Sequence, residues 1–178
     1  QMCIRDRPNK DTKNKEEDYF LCLSRLSSNA GYITINISSP NTEGLRDFHD
    51  QQELEKLLKG IENVKKKHNI SKPIAIKLSP DIADNQISII YELINKFNIS
   101  GIIISNTTDK NRENLSDTKK SEAGGLSGQP LKEISTKLIK KFYKTTKGKT
   151  QIIGVGGVDS GQSAFEKISA GADVIQLY

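Results

Sequence analysis

Residues 32–46 read Tyr-Ile-Thr-Ile-Asn-Ile-Ser-Ser-Pro-Asn-Thr-Glu-Gly-Leu-Arg, so that an apolar run passes directly into a loop of short polar side chains. Asn, Ser, Pro and Gly are common turn residues, and an ordinary turn explains part of this composition. A second polar loop, Asn106 to Thr108, follows another apolar run. Carboxamides both donate and accept hydrogen bonds, so several of them at converging strand ends would suit a flat, polar, heterocyclic ligand. We therefore expect the loop at 36–46 to carry the function.

Five apolar runs predict strands, and segments with apolar residues at helical spacing lie between them. The predicted strands are 32–37, 73–78, 101–105, 151–155 and 173–177. A helix is predicted before the first strand, at 16–28, and another begins after the polar loop, where Asp50 and Glu53 form a capping pattern. Strict alternation of strand and helix predicts a parallel α/β fold.

Two parallel folds compete, the open doubly wound sheet and the closed TIM (β/α)8 barrel. Every predicted strand is followed by a polar or glycine-rich loop, and in the barrel the chemistry sits on the loops after several different strands. This favours the barrel. A closed barrel takes about 250 residues, whereas this chain has 178. We therefore expect an incomplete barrel holding its C-terminal five strands or so.

The two ends of the chain carry separate expectations. Residues 1–7 show no periodicity and look like translated sequencing adapter, so we expect them to be non-native and exclude them from the fold. Residues 8–178 then form the partial barrel domain. The chain stops at Tyr178 directly after an apolar run, and both ends look cut.

Composition excludes several classes of function. The net charge is +5, but the lysines are scattered along predicted helix faces without interleaved aromatic residues, so we expect no nucleic-acid partner. Cys3 and Cys22, the two cysteines, have no metal-binding spacing, and we expect no metal site. No apolar run approaches the roughly 20 residues that span a bilayer.

Five motifs in order along the chain resemble the dihydroorotate dehydrogenase family. They are Asn36 to Arg46, Ile76 to Asp81, Ser105 to Thr108, Gly124 to Gly128 and Gly154 to Gly157. The resemblance covers the chain from about Asn9 to Tyr178. It implies a (β/α)8 barrel that uses flavin mononucleotide (FMN) to oxidise dihydroorotate to orotate in pyrimidine (UMP) biosynthesis.

The residue at position 39 divides the family. Its soluble class carries cysteine at the base position, whereas the class that passes electrons to quinone carries serine, and this chain has Ser39. The resemblance therefore implies quinone as the electron acceptor. It also implies peripheral membrane association on the cytoplasmic side, through an N-terminal segment that this chain lacks.

The resemblance assigns roles around the substrate. Ser39 would be the catalytic base, with Thr42 as the start of a hydroxyl or water relay, although a serine before proline also fits a plain turn. His49 and His68 are expected to be solvated and not placed to assist. The substrate would be bound by one threonine and three asparagines: Thr107, Asn36, Asn41 and Asn106.

Other residues would hold the cofactor. Lys77 lies within an apolar strand, where a lysine should meet negative charge, and by resemblance it stands beside the flavin ring. Gly128 and Gly157 offer backbone amides that can approach a phosphate without Cβ hindrance. The remaining implied cofactor contacts are Asn36, Ser105 and Tyr178.

Two alternatives stay open. The first is a tRNA-dihydrouridine synthase, another FMN-dependent barrel oxidoreductase. That family has a cysteine-based acid site, so Ser39 and the Asn-Thr-Glu-Gly-Leu-Arg sequence that continues its loop argue against this alternative. The second alternative is a piece that binds ligand weakly, or not at all, and catalyses nothing, because an incomplete barrel has open strand edges. We predict that the isolated 178-residue chain is inactive.

Overall fold

A computed structural model describes residues 3–6, 14–39, 44–110, 112–113 and 115–177 of the chain. The strands are β1 Cys3–Asp6, β2 Tyr32–Asn36, β3 Ile74–Leu78, β4 Gly101–Ile104, β5 Gln151–Gly154 and β6 Val174–Ile175. The helices are α1 Lys15–Leu26, α2 Gln51–Lys67, α3 Asp84–Lys96, α4 Lys132–Thr146 and α5 Gly161–Ser169. Short 3-10 turns lie at Ser27–Asn29, Arg46–His49 and Gln129–Leu131.

The described strands form one six-stranded sheet in which spatial order equals chain order, β1-β2-β3-β4-β5-β6. Every neighbouring pair is parallel. A doubly wound sheet reverses its strand order at a switch point, whereas a barrel adds each strand beside the last. The prediction of a parallel α/β fold is confirmed, and the strand order is that of a barrel.

Alternate residues of the strands belong to two separate apolar clusters. The larger cluster joins Ile74, Ile76, Ile102 and Ile104 to the apolar faces of the helices. The smaller one contains Ala75, Ile103 and Val155, with Ile153 against it, and so lies on the opposite face of the sheet. A barrel has this arrangement because its strands are covered outside by helices and inside by one another.

Helix α2 shows how the outer layer forms. Asp50 caps it, since the carboxylate accepts from the backbone N–H groups of Gln52 (2.9 Å) and Glu53 (3.4 Å), as the capping pattern predicts. Its fully buried stripe consists of Leu54, Leu57, Leu58 and Ile61. Burial of each such side chain stabilises the fold by about 1.5–3 kcal/mol.

Strand β1 was not predicted. Residues 3–6 pair with all of β2 except Asn36, from Cys3 opposite Tyr32 to Asp6 opposite Ile35. The open edge of a sheet can pair with an extended segment through backbone hydrogen bonds, whatever its side chains are. Such a strand therefore needs no hydrophobic pattern by which the sequence could predict it. At the other end, β6 covers only Val174–Ile175 of the predicted 173–177.

The register sets the position of the polar residues. Asn36 lies opposite Lys77, and Lys77 lies opposite Ile103. Ile103 belongs to the inner cluster, so all three residues occupy the inner face. The carboxyl ends of β2 and β3 therefore bring an amide and an ammonium group together at the mouth of the barrel.

Candidate active site

One cavity of about 740 Å³ lies at the carboxyl ends of the strands. Its volume is within the range of about 300–1,000 Å³ typical of sites for small ligands and cofactors. The predicted site residues that the structure describes all line it: Asn36, Ser39, Lys77, Ser105, Asn106, Thr107, Gly128 and Gly157. Asn41, Thr42 and Tyr178 lie outside the described residues, so their roles remain predictions.

Asn36 is the centre of a hydrogen-bond network. Its Oδ1 accepts from the Ser38 hydroxyl at 2.9 Å, the Ser38 amide at 3.3 Å and Asn106 Nδ2 at 3.2 Å. Its backbone carbonyl accepts from the Tyr19 hydroxyl at 2.6 Å. Because the side-chain oxygen is occupied, Asn36 presents its Nδ2 donor to the cavity.

Asn106 is held at both ends of its amide. Nδ2 donates to Asn36 Oδ1 and, at 3.0 Å, to Ser38 Oγ, while Oδ1 accepts from the Thr107 backbone N–H at 2.9 Å. Both side-chain hydrogens are therefore used within the protein. Because Nδ2 donates to Asn36, Asn106 helps to position the Asn36 side chain. Asn106 also lines the cavity, where its Oδ1 can still accept a hydrogen bond.

Ser39 and Lys77 are both buried where they meet the cavity. Ser39 is 4% exposed and Lys77 is 3% exposed. Ser39 follows β2 directly, at the start of the polar loop, whereas Lys77 lies within β3. A hydroxyl and a lysine side chain therefore line the same cavity from neighbouring strands, and both are largely shielded from bulk water.

Glycine is required at the far end of the cavity. Gly157 has φ +68°, and a Cβ there would lie 2.7 Å from the Cα, Cβ and N atoms of Lys132. Gly128 also has positive φ, at +78°. Asp159 lines this end, but its carboxylate already accepts from Gln129 Nε2 and from Ser163 Oγ. Hydrogen bonding, mainly from Ser163, lowers the pKa of Asp159.

Arg46 joins the loops that follow three strands, a connection that the sequence analysis missed. Its Nη1 donates to Asp109 Oδ1 at 2.9 Å, and its Nη2 lies 3.3 Å from Asp81 Oδ2, without hydrogen-bond alignment. Thr108 Oγ1 lies 2.8 and 3.0 Å from the two Asp81 oxygens. The hydrogen bond from Arg46 lowers the pKa of Asp109. The only available signal was that Arg46 and Asp81 end two of the quoted motifs.

The two carboxylates around Arg46 should differ in their contribution to stability. The Asp81 side chain is 9% exposed and that of Asp109 is 50% exposed. We expect Asp81→Ala to lower the free energy of unfolding by about 2–4 kcal/mol, and Asp109→Ala by less than about 1 kcal/mol. Urea unfolding of both variants measures this difference. Equal losses would contradict the ranking by burial.

His49 corrects one expectation. It was expected to be solvated, but it is 7% exposed, at the end of the turn Arg46–His49. Its Nε2 has no hydrogen-bond partner among the described residues. Burial, and secondarily the Arg46 charge, lowers its pKa from 6.5 to about 4. No sequence pattern predicts this burial, because a four-residue 3-10 turn is too short to show helical periodicity. His68 is exposed, as expected.

The buried histidine should make stability depend on pH. The folded state keeps His49 neutral down to about pH 4, whereas the unfolded chain takes up a proton near 6.5. Its contribution is therefore complete above pH 6.5 and is lost as pH falls towards 4, by at most about 3 kcal/mol. Urea unfolding between pH 7.5 and 4.5 should show this slope in wild type and in His68→Gln, but a weaker one in His49→Gln. An unchanged slope in His49→Gln would contradict the assignment.

Membrane-spanning helices and metal-ligand clusters are both absent from the described residues. No helix among them is long and apolar enough to span a bilayer. In the same parts of the chain, no group of three or more His, Cys, Asp or Glu side chains is placed to hold a metal ion.

Comparison with known proteins gives a consistent result. A family model described as dihydroorotate dehydrogenase matches residues 8–178. A dihydroorotate dehydrogenase (quinone) of Psychrobacter sp. (strain PRwf-1) is 43% identical over 171 residues, covering 93% of this chain and 49% of that protein. The protein of the same name from Pseudoalteromonas translucida (strain TAC 125) is 42% identical over 176 residues, with coverages of 96% and 52%.

Solved structures show the same similarity. The crystal structure of DHODH in complex with ferulenol from Eimeria tenella matches with a TM-score of 0.91 and 32% identity, covering 98% of this chain and 51% of that one. The ligand-free type from the same organism matches with a TM-score of 0.89 and 33% identity. The chain spans about half the length of the relatives it matches.

Proposed function

This chain belongs to the dihydroorotate dehydrogenase family, and on that premise we propose that the whole protein oxidises dihydroorotate to orotate in pyrimidine (UMP) biosynthesis. FMN is the proposed hydride acceptor, and quinone is the final electron acceptor. The observation that carries the proposal is that Asn36, Ser39 and Lys77 line one and the same cavity.

Membership of the family supports a flavin cofactor, and the residues of the cavity fit one. The ammonium of Lys77 offers positive charge to an electron-rich ring. At the other end, Gly128 and Gly157 expose backbone where a side chain would block a phosphate. Asn36 and Ser105 lie on the wall near Lys77 and complete the proposed contacts among the described residues.

The residues of the chain would divide the chemistry as follows. When bound, FMN supplies a two-electron acceptor for the hydride that leaves one carbon of the substrate. Ser39 Oγ takes the proton from the neighbouring carbon, next to the carbonyl, and the electrons of that C–H bond form the new double bond. Asn36 Nδ2 donates to the substrate, and Asn106 and Thr107 border it. Asn41 would bind the substrate and Thr42 would relay the proton.

The quinone branch is proposed from Ser39 and from the names of the relatives. Serine in place of cysteine is the feature that the quinone-dependent class shares. Association with the cytoplasmic face of a membrane, through a segment outside this chain, belongs to the same proposal. Reoxidation of the reduced enzyme by a soluble quinone would support this branch, and reoxidation only by another acceptor would exclude it.

The decisive experiment uses the whole protein, completed from the source DNA. Flavin absorbance is recorded while dihydroorotate is added without oxygen. Bleaching with one equivalent, and release of orotate, is the expected result. A bound flavin that dihydroorotate fails to bleach would reject this substrate while leaving the barrel in place. The isolated chain is the control, and we expect no turnover from it.

A further inference from the structure

Lys167 is a completely buried lysine that the proposed chemistry does not use. It lies on α5 with an exposed fraction of 0%, and it does not line the cavity. Its Nζ donates to three groups in the first turns of α4: Ser135 Oγ at 2.5 Å, Thr136 Oγ1 at 3.1 Å and the Lys132 carbonyl at 3.3 Å. The ammonium therefore fastens α5 to the beginning of α4.

The same part of α4 packs against Gly156 and Gly157, which line the cavity and form its glycine turn. Gly157 is packed on the Lys132 backbone so closely that a Cβ would overlap it. Ser135 Oγ lies 3.3 Å from the Gly156 carbonyl oxygen. Lys167 is therefore linked through Ser135 Oγ to the peptide unit that joins Gly156 to Gly157. The Ser135 hydroxyl has one proton, and the Leu131 carbonyl at 2.9 Å and the Lys132 carbonyl at 3.2 Å are its other acceptors.

The orientation of that peptide unit bears on ligand binding. In a trans peptide the C=O and N–H bonds point in opposite directions. With the Gly156 carbonyl turned towards Ser135, the Gly157 N–H points away from α4. Among the described residues this N–H donates no hydrogen bond, and Gly157 lines the cavity. A backbone donor without a protein partner, facing a cavity, suits an anion.

The charge of Lys167 is not balanced by the groups that it contacts. All three are neutral oxygens, and the adjacent Glu166 is paired with Lys132 at 2.9 Å. Burial lowers the pKa of Lys167 to about 8, while Glu166 opposes this shift and Lys132 adds to it. A buried cation is costly unless a negative charge lies nearby. A phosphate at the glycine turn would provide that charge.

We propose that Lys167 is a positioning residue for the phosphate of the flavin: through Ser135 and the Lys132 backbone it fixes the Gly156–Gly157 turn, and its charge favours the anion there. This inference rests on the proposed function, because it takes FMN as the ligand. Lys167 touches neither the substrate nor the flavin ring. Its effect should therefore depend on the phosphate and not on the isoalloxazine.

The test compares FMN with riboflavin, which lacks the phosphate. The whole apoprotein is titrated with each flavin, and fluorescence quenching gives the two dissociation constants for wild type, Lys167→Met and Lys137→Met. Lys137 is the matched control, because it carries the same charge on α4 but its side chain is 74% exposed. We expect Lys167→Met to reduce the preference for FMN over riboflavin about tenfold, and Lys137→Met to leave it within about twofold.

Each outcome has a definite meaning. If Lys167→Met weakens the binding of FMN and riboflavin equally, or weakens neither, the preference for FMN is unchanged. Either result would overturn the inference and leave Lys167 a structural residue. If Lys167→Met does not fold, Ser135→Ala replaces it: a reduced preference for FMN supports the inference and an unchanged one overturns it. Failure of the wild-type protein to bind FMN would reject the cofactor, and this inference with it.

Discussion

Replacing Ser39 by alanine in the whole protein is expected to slow reduction of the bound flavin by dihydroorotate at least about a hundredfold. The hydroxyl is 4% exposed and lines the cavity, so its removal deletes the proposed proton acceptor without disturbing the surface. Flavin binding should stay intact, because the phosphate and ring contacts are supplied by other residues. Anaerobic stopped-flow absorbance measures the reduction rate directly.

Ser79 provides the matched control for this substitution. It is a buried serine directly after β3, and its Oγ accepts from the Asp81 backbone N–H at 3.2 Å, but it does not line the cavity. In Ser79→Ala, the rate at which dihydroorotate reduces the bound flavin should stay within about threefold of the wild-type rate. If Ser39→Ala also reduced at nearly the wild-type rate, Ser39 would be a turn residue and the base would have to be sought elsewhere.

The fold could be predicted largely from the sequence because the predicted strands are short apolar runs separated by helices with an apolar stripe. Those signals are local, and β2 to β6 all formed at the expected places, with ends that differ by a few residues. Strand β1 has no such signal, since its pairing depends on the free edge of β2. Strand β6 is also at an edge of the described sheet. Only Val174 and Ile175 pair with β5, so β6 is shorter than the predicted strand at 173–177.

The cavity was predictable for a different reason. Parallel strands end at one edge of the sheet, so polar residues after several strands must meet, as Asn36 and Asn106 do at 3.2 Å. What the sequence did not reveal are contacts between distant loops and helix ends. The Arg46–Asp81 pair joins two loops, and Lys167 reaches Ser135 from another helix. Neither contact follows a periodic pattern: Arg46 was only the last residue of a quoted motif, and Lys167 was one of the lysines scattered along predicted helix faces.

Replacing Lys77 by methionine is the second large expected effect. Methionine keeps the length of the side chain within an apolar strand but removes the positive charge from the cavity wall. A flavin gains negative charge on reduction, so loss of a nearby cation should disfavour the reduced form. A loss of about 3 kcal/mol corresponds to a two-electron potential lower by about 60 mV. Spectroelectrochemical titration of the bound flavin measures this potential.

Lys96 supplies the control, because its side chain is 58% exposed and pairs with Glu55 on a neighbouring helix. Lys96→Met should leave the flavin potential within about 10 mV of wild type, since an exposed charge is screened by solvent. A potential that is equally unchanged in Lys77→Met would show that Lys77 does not act on the ring. Stability of the apoprotein is measured in parallel, so that a folding defect is not mistaken for a change in potential.

The two substitutions should separate the two halves of the proposed oxidation. Ser39→Ala removes the proton acceptor and should slow reduction without moving the flavin potential, because the hydroxyl is neutral. Lys77→Met should lower the potential and slow reduction by only as much as the lost driving force requires. A shifted potential in Ser39→Ala, or a slowed reaction at an unchanged potential in Lys77→Met, would mean that proton and hydride removal are not divided between β2 and β3 as proposed.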